Sequence, residues 1–198
     1  MEPLNVEKAE PLNLEKGIPL NLEKSVVKFA VGLCWDVDKE KSNGQDMDLD
    51  LSCHLRRLKG ICEVVFQNQM ESKNGAVRLS EDNRTGEGSG DDEKLFLDLS
   101  QVEEEIKSFE VWADIFKADE RGQHLGQVTG AQCHLYKGHD CGEDDKIATF
   151  NIACDGDETN KSVHLATLYR EVDRWEFVRI ESYYPFYRAG TKKSHRVP

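Results

Sequence analysis

The sequence predicts an all-β fold, an antiparallel β-sandwich of about nine strands with one short helix. Apolar and polar residues alternate in many short segments, which is typical of strands that bury one face. Polar loops separate these segments at intervals of about 8 to 15 residues, and no strand–helix–strand rhythm occurs. A chain of 198 residues has the size of one domain with a short appendage. The pattern excludes the parallel α/β folds that carry most nucleotide-dependent enzymes.

The N-terminus carries a short repeat. Three copies of eight residues each read EPLNVEKA, EPLNLEKG and IPLNLEKS. Their period of two predicts extended strands, and Pro3, Pro11 and Pro19 confine each strand to a sheet edge or a strand start. We expect the third copy to join the domain and the first two to be loosely attached, with a disordered leader as the alternative for residues 1–16. The predicted organisation is a leader at 1–18, a sandwich at 19–184 and a basic tail at 185–198.

The strand predictions begin after this repeat. Val27, Phe29, Val31, Leu33 and Trp35 alternate with smaller or polar residues, so this strand should place one face in the core. The same reasoning predicts further strands at 49–55, 64–66, 94–99, 109–116, 130–136, 147–152, 163–170 and 174–182. The last two should form a hairpin across residues 171–173.

One segment, Ser100–Ile106, has a helical signature. Ser100 is suited to cap a helix N-terminus, and Glu103 stands three residues later, where it could return the hydrogen bond. The sequence therefore predicts a single short helix in this connection.

The composition describes a soluble globular protein. Its 26 basic and 38 acidic side chains give a net charge of −12, which disfavours a nucleic-acid partner. The longest apolar run, Phe29–Trp35, is far shorter than the roughly 20 residues that a membrane helix needs, so no membrane insertion is expected. The start of the chain lacks the features of a secretory signal, and the six cysteines form no CxxC pair. We expect a cytoplasmic protein with free thiols.

The acidic residues are concentrated in two segments. Residues 36–50 and 81–93 together carry twelve acidic and three basic side chains, a net charge of −9 out of the total of −12. In the first segment Asp46, Asp48 and Asp50 alternate with apolar residues, which would place three carboxylates on one face of an extended strand. Such carboxylates repel one another unless a cation lies among them. The alternative is a solvated acidic surface.

The second segment is a glycine-spaced acidic loop. Gly86, Gly88 and Gly90 allow the backbone between Asp82 and Glu93 to curl, so that carbonyl and carboxylate oxygens can converge. Oxygen ligands of this kind suit Ca²⁺ and not Zn²⁺. The loop is not an EF-hand, because its sixth position is Glu87 instead of Gly, its third is Arg84, and no helices flank it.

The chain resembles the TerD (tellurium-resistance) family of stress proteins. The resemblance covers about residues 19–184 in the family's order. It rests on the segments VGLCWD at 31–36, GQDMDLD at 44–50, DNRTGEGSGDDE at 82–93, RGQ at 121–123, GQV at 126–128, LYR at 168–170 and WEF at 175–177. Two departures stand out: Ser89 replaces the family's usual Asp, and Cys34 replaces a Gly.

The resemblance implies a β-sandwich that binds two Ca²⁺ ions in adjoining acidic loops. The ligand candidates that it carries over share oxygen donors and lie in both acidic segments. They are Asp36, Asp46, Asp48, Asp50, Asp82, Asn83, Glu87, Asp91, Asp92 and Glu93. Among them, Asp82, Glu87, Asp91 and Glu93 are the strongest candidates, and the loss of the Asp at Ser89 could weaken one site.

The functional prediction is a calcium-binding stress-response protein without catalytic activity. It should act as a monomer that presents calcium-ordered loops to protein partners of a stress-response complex, including a membrane-associated one. The alternatives are a cyclic-nucleotide or other small-ligand binding protein of the same family and, less favoured, a metal-dependent hydrolase. The set of Cys133, His134, His139 and Cys141 matches no familiar zinc spacing and is interpreted as structural.

Overall fold

The computed structural model describes residues 10–86, 90–154 and 158–186 of the chain. These residues form two six-stranded sheets packed as a sandwich, which confirms the predicted fold class. The strands are β1 Leu12–Asn13, β2 Pro19–Asn21, β3 Lys28–Val37, β4 Leu49–Arg57, β5 Gly60–Val65, β6 Val77–Leu79, β7 Glu93–Asp98, β8 Ser108–Ile115, β9 Val128–Lys137, β10 Lys146–Asn151, β11 Ser162–Arg170 and β12 Trp175–Tyr184. Part of the predicted set falls outside this range: Glu87, Ser89, residues 1–9 and residues 187–198.

The two sheets have different strand orders. The first runs β1-β10-β9-β3-β7-β6 and the second β2-β12-β11-β8-β4-β5. Every named pairing is antiparallel except that of β1 with β10. The predicted hairpin of β11 and β12 is present, with Arg170 paired to Trp175.

The core lies between the inner faces of the sheets. Phe29, Val31, Leu33 and Trp35 of β3 are buried there, as the alternation predicts, but Val27 precedes β3 and is 42% exposed, so its prediction was wrong. Aromatic side chains from three other strands complete the packing: Phe109, Phe150 and Phe177. Fully burying a side chain of this size contributes about 1.5–3 kcal/mol to the hydrophobic stabilisation of the domain.

The second and third repeat copies each extend a different sheet. Strand β1, from the second copy, pairs with β10 of the first sheet, and β2, from the third, pairs with β12 of the second. Leu14 and Leu22 hold the same place in their copies, and both are buried. The expectation that only the third copy joins the domain was therefore wrong for the second copy, because its own apolar residue reaches the core.

The predicted helix at Ser100–Ile106 does not form, so this prediction was wrong. A single 3₁₀ turn forms at Leu99–Gln101, and Asp98 caps it by accepting a hydrogen bond from the backbone N–H of Ser100. The Ser100 hydroxyl also donates to Asp98, so it does not form the capping box with Glu103. The α-helix of the described residues is α1, Ala118–Arg121, which ends at Gly122 with φ of 62°.

None of the described helices has the length and apolar character needed to cross a membrane. All six cysteines lie in the described residues, and none of them forms a disulfide.

Candidate metal centre

The two acidic segments meet at one end of the sandwich. Asp48 and Asp50 stand at the start of β4 in the second sheet, whereas Asp82 follows β6 and Glu93 begins β7 in the first. Because β4 packs close to β6 and β7, residues more than thirty positions apart in sequence become neighbours. The alternation of β4 turns Leu49 and Leu51 into the core and leaves the aspartates on the other side.

Three carboxylates converge at this point. Asp48, Asp50 and Asp82 each offer an oxygen atom, and these atoms lie within 4.8 Å of one another. Asp48 and Asp50 are each only 3% exposed, and the side chain of Asp82 is 21% exposed. Oδ1 of Asp48 and Oδ1 of Asp82 have no hydrogen-bond partner among the described residues. The other oxygen of Asp82 accepts a hydrogen bond from Nε of Arg84 at 2.8 Å.

Glu93 adds a fourth carboxylate to the same place. It is buried, its Oε2 accepts the backbone N–H of Leu51 at 2.5 Å, and it lines a small cleft together with Asp50 and Asp82. We call Asp48, Asp50, Asp82 and Glu93 the acidic group.

Burial and mutual repulsion change the ionisation of this group. Burial, reinforced by the carboxylates of Asp50, Asp82 and Asp48, raises the pKa of Glu93 to about 9. Burial, with a contribution from Asp82, also raises the pKa of Asp48 to about 6. Without a cation the acidic group therefore holds protons at pH values where carboxylates are normally ionised.

Two other candidates shape the acidic loop. Asp92 accepts a hydrogen bond from the backbone N–H of Trp35 at 3.1 Å and another from the Asn83 side chain at 2.9 Å. The Asn83 side-chain oxygen in turn accepts from the backbone N–H groups of Thr85 and Gly86. The loop lies against β3 so closely that a Cβ on Gly86 would be 2.5 Å from the Trp35 indole nitrogen.

The remaining candidates lie apart from the acidic group. Asp46 is exposed and pairs with Lys39, and Asp36 is exposed at the end of β3. Asp91 points onto the outer face of the first sheet, where its Oδ1 lies 2.6 Å from Nδ1 of His134. Of the four strongest candidates, the structure thus brings Asp82 and Glu93 together and places Asp91 elsewhere. Glu87 lies outside the described residues.

The donor set of the acidic group fits Ca²⁺. Its side chains offer oxygen atoms only, and two of those atoms are without a partner among the described residues. Ca²⁺ takes about 6–8 oxygen ligands, many of them carboxylates, in a flexible geometry. The cleft is also lined by Gln67 and Ser80, which the sequence analysis did not select. Neither residue stands in an acidic or glycine-spaced pattern, so no local signal marks them.

Sequence comparison gives a family for the chain. The sequence model of the TerD domain matches residues 11–186. The uncharacterised protein YceE of Bacillus subtilis (strain 168) is 35% identical over 170 residues, covering 79% of this chain and 81% of that protein. The tellurium resistance protein TerD of Serratia marcescens is 34% identical over 157 residues, covering 77% and 79%. General stress protein 16U of Bacillus subtilis (strain 168) is 35% identical over 161 residues, covering 79% and 81%.

Structure comparison supports the same fold. A homologue of the telluride resistance protein from Streptomyces coelicolor A3(2) superposes with a TM-score of 0.62 at 19% identity, over 80% of this chain and 90% of that chain. A crystal structure of a protein of unknown function gives a TM-score of 0.67 at 18% identity, over 82% and 92%. At these identities the similarity concerns the sandwich architecture.

Proposed function

Because the chain belongs to the TerD domain family, whose relatives include tellurium-resistance and general stress proteins, we propose that it is a calcium-binding stress-response protein without catalytic activity. The observation that carries the proposal is the convergence of Asp48, Asp50 and Asp82 within 4.8 Å. One buried oxygen of Asp48 and one of Asp82 have no hydrogen-bond partner among the described residues. Ca²⁺ would bind these three carboxylates and Glu93.

The energetic argument rests on the repulsion inside the acidic group. Two unit charges about 4 Å apart interact with about 4 kcal/mol at an effective dielectric constant of about 20. That is a large fraction of the roughly 5–15 kcal/mol by which a domain is stable. Either protons or a cation must relieve it, and a divalent cation does so while leaving the carboxylates ionised.

A second Ca²⁺ ion remains a prediction from the family resemblance. It would draw on Asp36, Asn83 and Asp92 and on Glu87, which lies outside the described residues. In the described part of the loop, Asn83 and Asp92 are hydrogen-bonded to each other and to the backbone. Calcium would thus act on a loop whose shape is already partly set.

We further propose that the calcium-bound loops form the surface that a protein partner recognises, in the cytoplasm. Binding of an ion that the folded state prefers stabilises that state, by about 2.7 kcal/mol at a free concentration of 100 times Kd. Ion binding at the end of the sandwich would therefore order the surface on which Asp82 and its loop are displayed.

The test is a calorimetric titration of Ca²⁺ into chelator-stripped protein, with Mg²⁺ as the comparison ion. We expect saturable binding that Asp50→Asn and Asp82→Asn each weaken about tenfold or more, because each removes one charged ligand. The matched control is Asp46→Asn, which changes an exposed aspartate of the same run and should leave the Ca²⁺ affinity unchanged.

Absence of heat, together with an unchanged melting temperature on adding Ca²⁺, would reduce the acidic group to a charged surface and contradict the proposal. Equal losses in all three variants would contradict the assignment of the ligands. Retention of labelled cyclic AMP in equilibrium dialysis, with or without Ca²⁺, would favour the small-ligand alternative.

A further inference from the structure

A second group of metal-ligating side chains lies on the outer face of the first sheet. Cys34 of β3, His134 of β9 and Asp91 each offer one ligand atom, and these atoms lie within 4.8 Å of one another. The donors are a thiol sulfur, an imidazole nitrogen and a carboxylate oxygen. This set differs in kind from the oxygen-only acidic group.

The register of β3 and β9 brings the thiol and the imidazole together. Gly32 pairs with His134, and Cys34 pairs with Gln132, so Cys34 and His134 are diagonal neighbours on one face of the sheet. Sequence spacing could not show this, because the two residues are 100 positions apart. Of the soft ligands that the sequence groups near His134, His139 instead lies 2.9 Å from the carbonyl oxygen of Leu97, and Cys133 is buried in the core.

The absence of a side chain at Gly32 leaves space on the sheet for the Asp91 carboxylate. A Cβ built on Gly32 would lie 2.1 Å from Oδ2 of Asp91, so any larger residue at that position would displace the carboxylate. The loop backbone fixes the approach, since the N–H of Asp92 donates to the carbonyl oxygen of Leu33 at 2.8 Å. The carboxylate is thus held over the sheet beside the two other donors.

The Asp91 carboxylate is buried, and the side chains of His134 and Tyr136 both act on it. Its side chain is 1% exposed, Oδ1 lies 2.6 Å from Nδ1 of His134, and Oδ2 has no hydrogen-bond partner among the described residues. Burying a charged oxygen without a partner is costly, so such an atom marks a place where a cation or a proton donor would be stabilising.

We propose that Cys34, His134 and Asp91 form a binding site for a divalent transition-metal ion of the Zn²⁺ class, separate from the calcium site. Zn²⁺ is bound by thiolate, imidazole and carboxylate ligands, often three from the protein with a further position left to water. On binding, the Cys34 thiol loses its proton to solvent, and the metal takes the place of the direct Asp91–His134 hydrogen bond. Gln132, whose Oε1 lies 3.3 Å from Nε2 of His134, stands beside the site and can orient the ring.

This inference goes beyond the proposed calcium function and does not depend on it. The acidic group uses Asp48, Asp50, Asp82 and Glu93, none of which belongs to the set of Cys34, His134 and Asp91, which we call the mixed site. Asp91 is also a calcium candidate of the family resemblance, and the present proposal assigns it to the mixed site instead. The mixed site depends on Cys34, which stands at a position where the family resemblance has Gly. Relatives with that Gly would lack the sulfur ligand.

The experiment uses Co²⁺ as a spectroscopic substitute for Zn²⁺ on the 198-residue chain, which is stripped with chelator and then divided into a Ca²⁺-free sample and a Ca²⁺-saturated sample. We expect one equivalent of Co²⁺ to produce a thiolate-to-cobalt charge-transfer band, which Zn²⁺ then abolishes by displacement. Cys34→Ser should remove the band, and His134→Gln should weaken Co²⁺ binding about tenfold or more. Cys62→Ser, which changes an exposed cysteine on the other sheet, is the matched control and should keep the band.

Three results would overturn the proposal. They are absence of the band in the unaltered chain, its survival in Cys34→Ser, and its loss when Ca²⁺ is added, which would mean that the sites are not separate. The far-ultraviolet circular dichroism and urea midpoint of each variant serve as the control for folding, and Cys34→Gly offers a second variant if the serine fails to fold. A failure of Ca²⁺ binding with an intact Co²⁺ band would contradict the calcium proposal alone.

Discussion

Two regions of the sandwich use the same sequence pattern for opposite purposes. The second and third eight-residue repeat copies, residues 10–25, carry β1 and β2, and we call them the octad edge. They alternate apolar with polar residues, and so does the acidic group with β4. At the octad edge the backbone N–H groups of Leu14 and Leu22 each donate at 2.9 Å to a neighbouring strand, and both side chains are buried. In the acidic group, oxygens of Asp48 and Asp82 are left without partners among the described residues.

The difference lies in where the polar positions point. The octad edge turns its charged residues to solvent, so that burial of leucine and backbone pairing both stabilise the fold. The acidic group places carboxylates close together in a narrow, largely buried cleft, which opposes folding unless an ion or a proton is present. The comparison separates residues that stabilise the sandwich from residues for which we propose ion binding.

The largest expected effect breaks the octad edge. Leu14→Ala and Leu22→Ala should each lower the free energy of unfolding by about 2–3 kcal/mol, the low end of the cost of truncating a buried leucine, because both sites are close to an edge. The matched control is Leu12→Ala in the same repeat, since Leu12 is 55% exposed. Urea denaturation measures all three. An equal loss for Leu12→Ala would mean that the copies are held by their backbone and not by one anchor residue.

The second largest effect is the pH dependence of folding stability, which we expect the acidic group to cause. The pKa values of Glu93 and Asp48 are raised in the folded state, to about 9 and about 6, so the folded protein binds more protons than the unfolded one between the ordinary and the raised values. Stability then falls as pH rises through that window. For chelator-treated protein we expect the free energy of unfolding to fall by about 1–2 kcal/mol between about pH 5.5 and 8.5. This is less than the limit for one proton, which is about 1.4 kcal/mol for each pH unit.

Two comparisons isolate the cause of that pH dependence. Ca²⁺ should flatten it, because ionised carboxylates bind the ion, and Glu93→Gln should reduce it in the absence of metal. Chemical denaturation midpoints over the same pH range provide the measurement. A slope that persists in Glu93→Gln would place the responsible proton on another residue.

The smallest effect concerns the charged residues of the octad edge. Lys24 pairs with Asp173 at 3.1 Å, but the two side chains are 67% and 55% exposed. Exposed pairs of this kind contribute little, so Lys24→Ala should change the free energy of unfolding by less than about 0.5 kcal/mol. The thermal midpoint at low and high salt tests this, and a salt-sensitive loss above about 1 kcal/mol would show that this exposed pair contributes more than the usual surface ion pair.

The sequence alone determined the fold class and the chemistry of the acidic segments. Alternation is a local property, so the strands around Phe29–Trp35 and Leu49–Leu55 could be predicted without knowing their neighbours. Side-chain type is local too, and it was enough to predict that any group of donors built from these segments would offer oxygen atoms, as the converging carboxylates of Asp48, Asp50 and Asp82 do. The prediction of a helix at Ser100–Ile106 was wrong for an equally local reason. Asp98, and not Ser100, is the N-cap residue, and it caps only a 3₁₀ turn at Leu99–Gln101.

Only the tertiary structure decided which side chains meet. Two repeat copies with the same LNLEK core extend different sheets, and nothing within the repeat distinguishes their destinations. Asp91 and Glu93 stand two residues apart, yet one lies over Gly32 beside His134 and the other faces Leu51. The physical reason is that strand order and register set contacts between residues tens of positions apart. Residues two apart within one strand would share a face, but Asp91 lies in the loop before β7 and Glu93 is the first residue of β7.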